Sequence, residues 1–280
     1  MVKIVADTTS SLPLELAKQL GISLIPQIVI FGEEAYRDDI ELDTPTFLQK
    51  LRTSPVLPKT AAPPPTLYMP IYQEAQKRGE EVVVVAPSAR LSGTVRSAET
   101  AAQDFPDLKV YVVDTQTIAG TLASLVLMAH RWAQAGALGE VIAARLKEQA
   151  IRARTYFLVD TLEYLQKGGR IGAAKALLGE LLQVKPILTL REGQVAPFEQ
   201  QRTKKRAMAR LLEVVEQECP ATVDAHLCVM HIEAFEEAQE LADALRSRLG
   251  LLEPPVIYQI PPAIVVHVGP GALALGFFIA

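Results

Sequence analysis

Three apolar runs in this chain end in the same dipeptide: "ADTTSS" at Asp7, "VDTQT" at Asp114 and "VDTLEY" at Asp160. Each pair puts a carboxylate and a hydroxyl beyond the carboxyl end of a strand, where α/β folds gather their ligands. Asp and Thr are also good N-caps, so the same pairs suit the start of the helix that follows each run. An aspartyl phosphotransferase would want a second Asp two residues after the nucleophile to hold Mg²⁺. Position 9 is threonine, which makes that chemistry at Asp7 a weak reading.

The stretch "EVVVVAPSARLSGTVRSAE" is an apolar run, a polar loop and a helix-like segment that opens at Ser92, Gly93 and Thr94. A nucleophile elbow reads G-x-S-x-G, and no glycine stands two residues before Ser92. The chain has four histidines; His130 falls in a helical stretch, and His226 and His231 flank a strand, which suits structural roles. No phosphate-binding loop of the G-x-x-x-x-G-K-[ST] type occurs. What remains is a helix N-terminus with two hydroxyls, a glycine that lets backbone approach, and unpaired N–H groups. Such a turn suits a small anion, a carboxylate or a phosphate, and makes Ser92 a binding residue rather than an attacking one.

His267 lies in "PPAIVVHVGPGALALGF", between an apolar run and a GPGA turn. A lone histidine on an apolar strand is usually a core residue, while Gly269 and Gly271 permit close approach of a ligand to the backbone. Basic residues concentrate at Lys167, Arg170, Lys175 and Lys185, and again at Arg202, Lys204, Lys205 and Arg206. They read either as solvated helix faces or as a docking site for a partner or phosphate. Cations at a helix start oppose the macrodipole, so the second group needs a compensating partner.

These residues must be positioned by alternating strands and helices. Strands are expected over residues 2–7, 22–31, 81–87 and 109–115, near-continuously apolar as in a parallel sheet covered on both faces. Helices are expected over 13–20, 44–52, 66–78, 93–103 and 117–135, with an acidic loop over 37–43. Residues 55–65, "PVLPKTAAPPP", cannot continue a helix or a central strand and read as an ordered extended loop. Beyond a helix at 139–153 the pattern changes. A strand at 155–160 precedes a helix over 172–182 and a hairpin of strands at 184–190 and 195–201. Helices at 203–218 and 234–249 then alternate with strands at 226–231, 256–260 and 264–268, and the final "GALALGFFIA" reads as a packed terminal strand. The expectation is a two-domain α/β protein. Residues 1–150 form an N-terminal α/β domain with a largely parallel sheet and flanking helices, and residues 151–280 a C-terminal mixed α/β domain.

The chain of 280 residues carries a formal charge of −4 and is 49% hydrophobic. That balance argues against a nucleic-acid footprint. Cys219 and Cys228 make no metal-binding spacing and fit a reducing compartment. The start of the chain lacks the apolar core of a signal peptide, and no run has the length of a membrane span, so a cytoplasmic location is expected. No metal and no cofactor are called for, and no exposed apolar stripe argues against a monomer.

Taken in order, "ADTTSSLP", "KTAAPPP", "ARLSGTVRSA", "VVDT", "LVDTLEYLQKGGRIG", "VKPIL" and "HVGPGALALGF" make the chain similar to the DegV family. The resemblance implies a bacterial lipid-binding protein of DegV-like fold that encloses one long-chain fatty acid and serves a fatty acid kinase, feeding phospholipid metabolism. It is then a carrier with no catalytic residue of its own. It implies that Thr60 and Ser92 hold the carboxylate, that Gly93 and Thr94 offer backbone N–H groups, and that His267 contributes. Arg170 and Arg202 would face the kinase or the acyl phosphate. The family's proline-rich loop usually reads Thr-Ser-Gln-Pro-Ser-Pro, whereas here Thr60 is followed by Ala61, Ala62, Pro63, Pro64 and Pro65. Three polar side chains are lost and the key threonine is kept. The alternative is a phosphotransferase or phosphatase working around Asp7, Thr8 and Ser92.

Overall fold

Valine and isoleucine dominate the first strand, and in the computed structural model this strand lies inside a sheet covered on both faces. Residues 1–38, 40–178 and 184–280 are described. They divide into two compact units, Met1–Ile151 with Pro261–Ala263, and Arg152–Ile260 with Ile264–Ala280.

In the first unit the strands are β1 (Val2–Asp7), β2 (Ser23–Ile25), β3 (Ile28–Phe31), β4 (Glu34–Arg37), β5 (Lys59–Ala61), β6 (Glu81–Ala86) and β7 (Val110–Asp114). A parallel sheet runs in the order β2-β1-β6-β7, and a small antiparallel sheet in the order β4-β3-β5. Val5, Val82, Val83, Val84 and Val85 are buried, as strands flanked on both sides require. On one face Tyr68, Tyr72, Ala75, Ala98 and Ala101 pack against Val5, Val82 and Val84. The helices Met69–Arg78 and Thr94–Ala102 bring these residues there; the first stops at Gly79, in the left-handed region that glycine adopts without strain.

The expected strand over 22–31 is two strands in two different sheets. Pro26 lacks an N–H to donate to a ladder, and the chain changes sheet at that point. Gln27, at the switch, has its backbone tied instead: its N–H donates to Thr8 Oγ1 at 3.1 Å and its carbonyl accepts from Asp38 N at 2.9 Å. The proline-rich loop, expected to be ordered and extended, also contributes a short strand: residues 59–61 pair with β3, placing Thr60 opposite Val29.

In the second unit the strands are β8 (Ala153–Leu158), β9 (Lys185–Arg191), β10 (Gln194–Gln201), β11 (Cys228–His231), β12 (Val256–Gln259) and β13 (Leu273–Phe278). They form a mixed sheet in the order β10-β9-β8-β13-β11-β12, antiparallel except between β11 and β12. The helices Lys204–Glu218 and Phe235–Leu249 bury Leu211, Val214, Val215, Leu241 and Leu245 against Tyr156, Ile187, Val229, Leu275 and Phe277. The terminal strand β13 is buried throughout.

Residues 264–268, expected as a strand from the β-branched run Ile264-Val265-Val266, belong to a helix, Pro262–Val268. Proline in the first turn of a helix forgoes an N–H that would have no partner there. The next free N–H, that of Ala263, donates to the buried Asp38 carboxylate at 3.2 Å. Such a long-range cap outweighs the few tenths of a kcal/mol per residue by which β-branched side chains disfavour helix. The helix expected over 172–182 is a 3-10 helix over Gly172–Leu177, and the end of that expectation lies outside the described residues.

Leu245 has no solvent exposure at the centre of the second unit's core. Leu245→Ala is expected to lower stability by about 2–5 kcal/mol, through lost burial and the cavity left behind. Urea unfolding followed by circular dichroism checks this; a loss below about 1 kcal/mol would mean the core repacks around the gap.

Candidate functional site

At the carboxyl end of β1 the chain turns through a 3-10 helix, Thr8–Ser10, and Asp7 is its N-cap. The Asp7 side chain is entirely buried, yet both oxygens are engaged. Oδ1 accepts from Thr9 N at 2.9 Å and from Thr9 Oγ1. Oδ2 accepts from Gln27 Nε2 at 2.7 Å and from Thr94 Oγ1. Burial lifts the Asp7 carboxyl above its usual range, and the hydrogen bonds from Thr9, Thr94 and Gln27 oppose that rise. Asp7 therefore caps as its residue type suggests, and it also ties three separate segments together.

The Gln27 amide extends this cluster outward. Its Nε2 lies 2.9 Å from Thr94 Oγ1 and 3.3 Å from Ser92 Oγ, and the two hydroxyls are 3.0 Å apart. Ser92 is half-buried, Gly93 exposed and Thr94 buried, so the turn presents Ser92 and backbone at its rim. The helix Thr94–Ala102 starts here; its first N–H, that of Thr94, makes only a long contact to Ser92 Oγ at 3.4 Å, and the helix dipole favours an anion. A Cβ on Gly93 would come within 3.2 Å of the Ala62 Cβ, so the end of β5 lies against this turn. The structure thus gathers Ser92, Gly93 and Thr94 with the segment that carries Thr60, all within the first unit. Thr8 is drawn in as well, its Oγ1 donating to Asp38 Oδ2 at 2.9 Å. With every Asp7 oxygen facing donors inside the protein, Asp7 is a framework carboxylate rather than an exposed nucleophile.

Gln27 and Asp38 are the residues that sequence reasoning missed. Gln27 sits in the apolar run "IPQIVIF", where a single amide adjacent to proline is the only local signal. Asp38 falls in a stretch read as a solvated acidic loop, yet it is buried and accepts from two other segments.

His267, Arg170 and Arg202 belong to the second unit. His267 closes the helix Pro262–Val268 rather than lying on a strand. Its ring packs on Gly168, where a Cβ would fall within 2.3 Å of Nδ1. The same interlocking recurs twice: a Cβ on Gly269 would strike the Tyr164 ring at 2.5 Å, and one on Gly271 the Asp160 carboxylate at 2.3 Å. The stretches "LVDTLEYLQKGGRIG" and "HVGPGALALGF" therefore fit each other through the missing side chains of glycine. Arg170 Nη1 donates to Gly168 O at 2.8 Å and stays half-buried, while Arg202 is exposed. The cations at the start of helix Lys204–Glu218 find their compensation in Thr203, whose hydroxyl caps Arg206 N at 3.2 Å, and in Glu237, which pairs with Lys204 at 2.7 Å.

Burial, reinforced by the Arg170 charge, pushes the His267 imidazole down to about 4 from 6.5. His267 is thus neutral at pH 7. An unfolded chain would bind a proton at His267 below about pH 6.5 that the folded protein refuses until about pH 4. The stability tied to the neutral ring is present above pH 6.5 and lost as the pH falls through that window. The loss is on the order of 3 kcal/mol. His267→Gln is expected to flatten the decline in urea-unfolding free energy between pH 7 and pH 4. A smaller slope should remain from His231, which burial also lowers. An unchanged slope in the variant would show that His267 titrates normally.

Among the described residues no helix is long and apolar enough to cross a membrane. A family model described as "Uncharacterised protein, DegV family" matches residues 1–280. A DegV domain-containing protein of Halalkalibacterium halodurans is 33% identical over 279 residues, covering 99% of this chain and 98% of that one. Among solved structures, a DegV family protein from Thermus thermophilus, described by its fatty acid binding, superposes with a TM-score of 0.86 at 32% identity, covering 100% of this chain and 99% of that one. DegV of Bacillus subtilis, described as a fatty acid binding protein, gives a TM-score of 0.89, again at 32% identity with 100% and 99% coverage. Fold, motifs and full-length similarity agree, and this chain belongs to the DegV family.

Proposed function

We propose that the protein binds one long-chain fatty acid and presents its carboxylate to a fatty acid kinase, which supplies nucleotide and metal and forms the acyl phosphate. The observation that carries the reading is the Ser92-Gly93-Thr94 turn at a helix start, packed against the end of β5, in a chain whose solved relatives at 32% identity are described as fatty acid binding. In this reading Ser92 and Thr60 hold the carboxylate and the backbone at Gly93 and Thr94 adds N–H donors. The neutral ring of His267 contributes a polar contact without a fixed charge. Residues 1–150 carry the head-group loops and residues 151–280 form the second domain. The protein is a monomeric cytoplasmic carrier without catalytic residues or metal of its own.

The energetics suit such a division. About 14 methylenes at ~0.8 kcal/mol each give roughly 11 kcal/mol as an upper estimate for burying the tail. The head-group contacts set register and prevent the cost of an unpaired buried carboxylate. The loop of Ala61, Ala62, Pro63, Pro64 and Pro65 adds no side-chain donor, so Thr60 and Ser92 carry a larger share of that task. The rival phosphotransferase or phosphatase chemistry around Asp7, Thr8 and Ser92 finds little support, because the Asp7 and Thr8 side chains are buried and already paired.

Two experiments test the reading. Protein purified under native conditions, denatured and extracted with organic solvent, is expected to release one equivalent of a long-chain fatty acid by mass spectrometry. Ser92→Ala with Thr60→Ala is expected to lower that retention at least tenfold while the far-ultraviolet spectrum stays native; undiminished retention in the double variant removes both residues from the site. Separately, Arg170→Ala and Arg202→Ala are expected to keep the lipid but to slow acyl-phosphate formation with a fatty acid kinase. Wild-type turnover by both variants would exclude a role for these arginines in the partnership.

A further inference from the structure

The hydroxyl hydrogens of the site can be counted. Asp7 Oδ2, Thr94 Oγ1 and Ser92 Oγ form a chain, with Thr94 donating to Asp7 and 3.0 Å between the two hydroxyls. Each hydroxyl has one hydrogen to give. When Asp7 is ionised, Thr94 spends its hydrogen on the carboxylate, so the bond between the hydroxyls must be donated by Ser92. Gln27 Nε2 sits at 2.7 Å from Asp7 Oδ2 and 2.9 Å from Thr94 Oγ1, and both of those contacts are donations, so it cannot reverse the order. Ser92 then has no hydrogen left for its ligand, and its oxygen, approached only by long contacts from Gln27 Nε2 at 3.3 Å and Thr94 N at 3.4 Å, suits a protonated acid and repels a carboxylate. When Asp7 is protonated, the chain runs the other way. Asp7 donates to Thr94, Thr94 donates to Ser92, and the Ser92 hydrogen is free for a carboxylate.

We infer that Asp7 and the fatty acid share one proton through the Thr94–Ser92 relay, so that the site binds the acid and Asp7 as a pair carrying a single negative charge. This rests on the reading of Ser92 as a head-group residue. In the bound state the proton lies either on Asp7, with Ser92 donating to the carboxylate, or on the ligand, with Ser92 accepting from it. Atoms balance in both forms: one O–H bond at Asp7 is exchanged for one at the ligand, with the two intervening hydroxyls each passing a hydrogen along. Two carboxylates joined in this way cannot both be ionised without cost.

The surroundings of Asp7 favour such sharing. The side chain is wholly buried, and no charged side chain among the described residues pairs with it. Its direct partners Thr9, Gln27 and Thr94 do not titrate near neutral pH. Tyr68, on the segment packed beside it, has a buried hydroxyl with no hydrogen-bond partner among the described residues, and burial together with the Asp7 charge keeps that phenol protonated. Asp38 stands one residue removed, beyond the Thr8 hydroxyl, and adds a second carboxyl to the same end of the unit. Helix Ala119–Gln134, which packs on β1, brings Gly120, Thr121 and Ser124 from its buried first half, and on helix Thr94–Ala102 both Arg96 and Glu99 are exposed. Among the described residues no charged side chain therefore pairs with Asp7 itself, and the cations nearest the Ser92 rim in sequence, Lys59, Arg90 and Arg96, are exposed to solvent that screens them.

The test is proton uptake on binding myristate, kept below its aggregation limit, measured by calorimetry in buffers of different ionisation enthalpy from pH 6 to pH 10. Uptake is expected to rise to one proton per myristate within this range, and affinity to fall tenfold for each pH unit beyond the rise. Asp7→Asn places an amide donor toward Thr94 and is expected to bind without uptake. Thr94→Val cuts the relay and is expected to abolish uptake too, which a purely structural role for Asp7 would not do. Binding by the wild-type protein with no uptake and flat affinity across the range overturns the shared proton and leaves the fatty-acid reading intact. Failure of myristate to bind at any pH overturns both.

Discussion

A buried carboxylate with four donors around it organises the first unit. Asp7 stands at the end of β1, and its partners come from the adjacent turn, from the switch between β2 and β3, and from the first residue of helix Thr94–Ala102. Hydrogen bonds to a charged acceptor are each worth about 1.5–3 kcal/mol, and an unsatisfied buried carboxylate costs more than any of them gains. The donors cannot leave without exposing that cost, so the three segments are held in one arrangement. The position of Ser92 follows from this, because Gln27 and Thr94 are both its neighbours and ligands of Asp7.

The second unit uses a different device. Gly168, Gly269 and Gly271 leave room for His267, Tyr164 and Asp160, so two motifs about 100 residues apart in sequence interlock by shape. Gly269 and Gly271 also adopt positive φ angles of 77° and 75°, which a residue with a Cβ would resist. The imidazole held in this packing stays neutral because it is buried beside a guanidinium.

Much of this was legible from residue type. The Ser92-Gly93-Thr94 turn combined hydroxyls, glycine and a helix start within three positions, and each of those features has a local cause. Helix and strand positions in the first unit were readable because burial on both faces leaves continuous apolar runs such as residues 82–86. Gln27 was not readable, since an amide in an apolar run carries no sign of which buried groups it serves. The helix Pro262–Val268 was misread for a related reason: its Ile-Val-Val run favours a strand locally, and the cap that overrides this preference is 225 positions away at Asp38.

The chain alone therefore determined the alternation of strands and helices, the family, and the turn that could meet an anion. These depend on neighbours within a few residues and on composition. Only the tertiary structure decided that Asp7 and Thr94, 87 positions apart, share a hydrogen bond, and that Gln27 joins them to Ser92. Hydrogen-bond partners across such separations are chosen by how the sheets place their loops. A buried donor takes the acceptor that the fold brings within hydrogen-bonding distance, and no local pattern encodes which one that is.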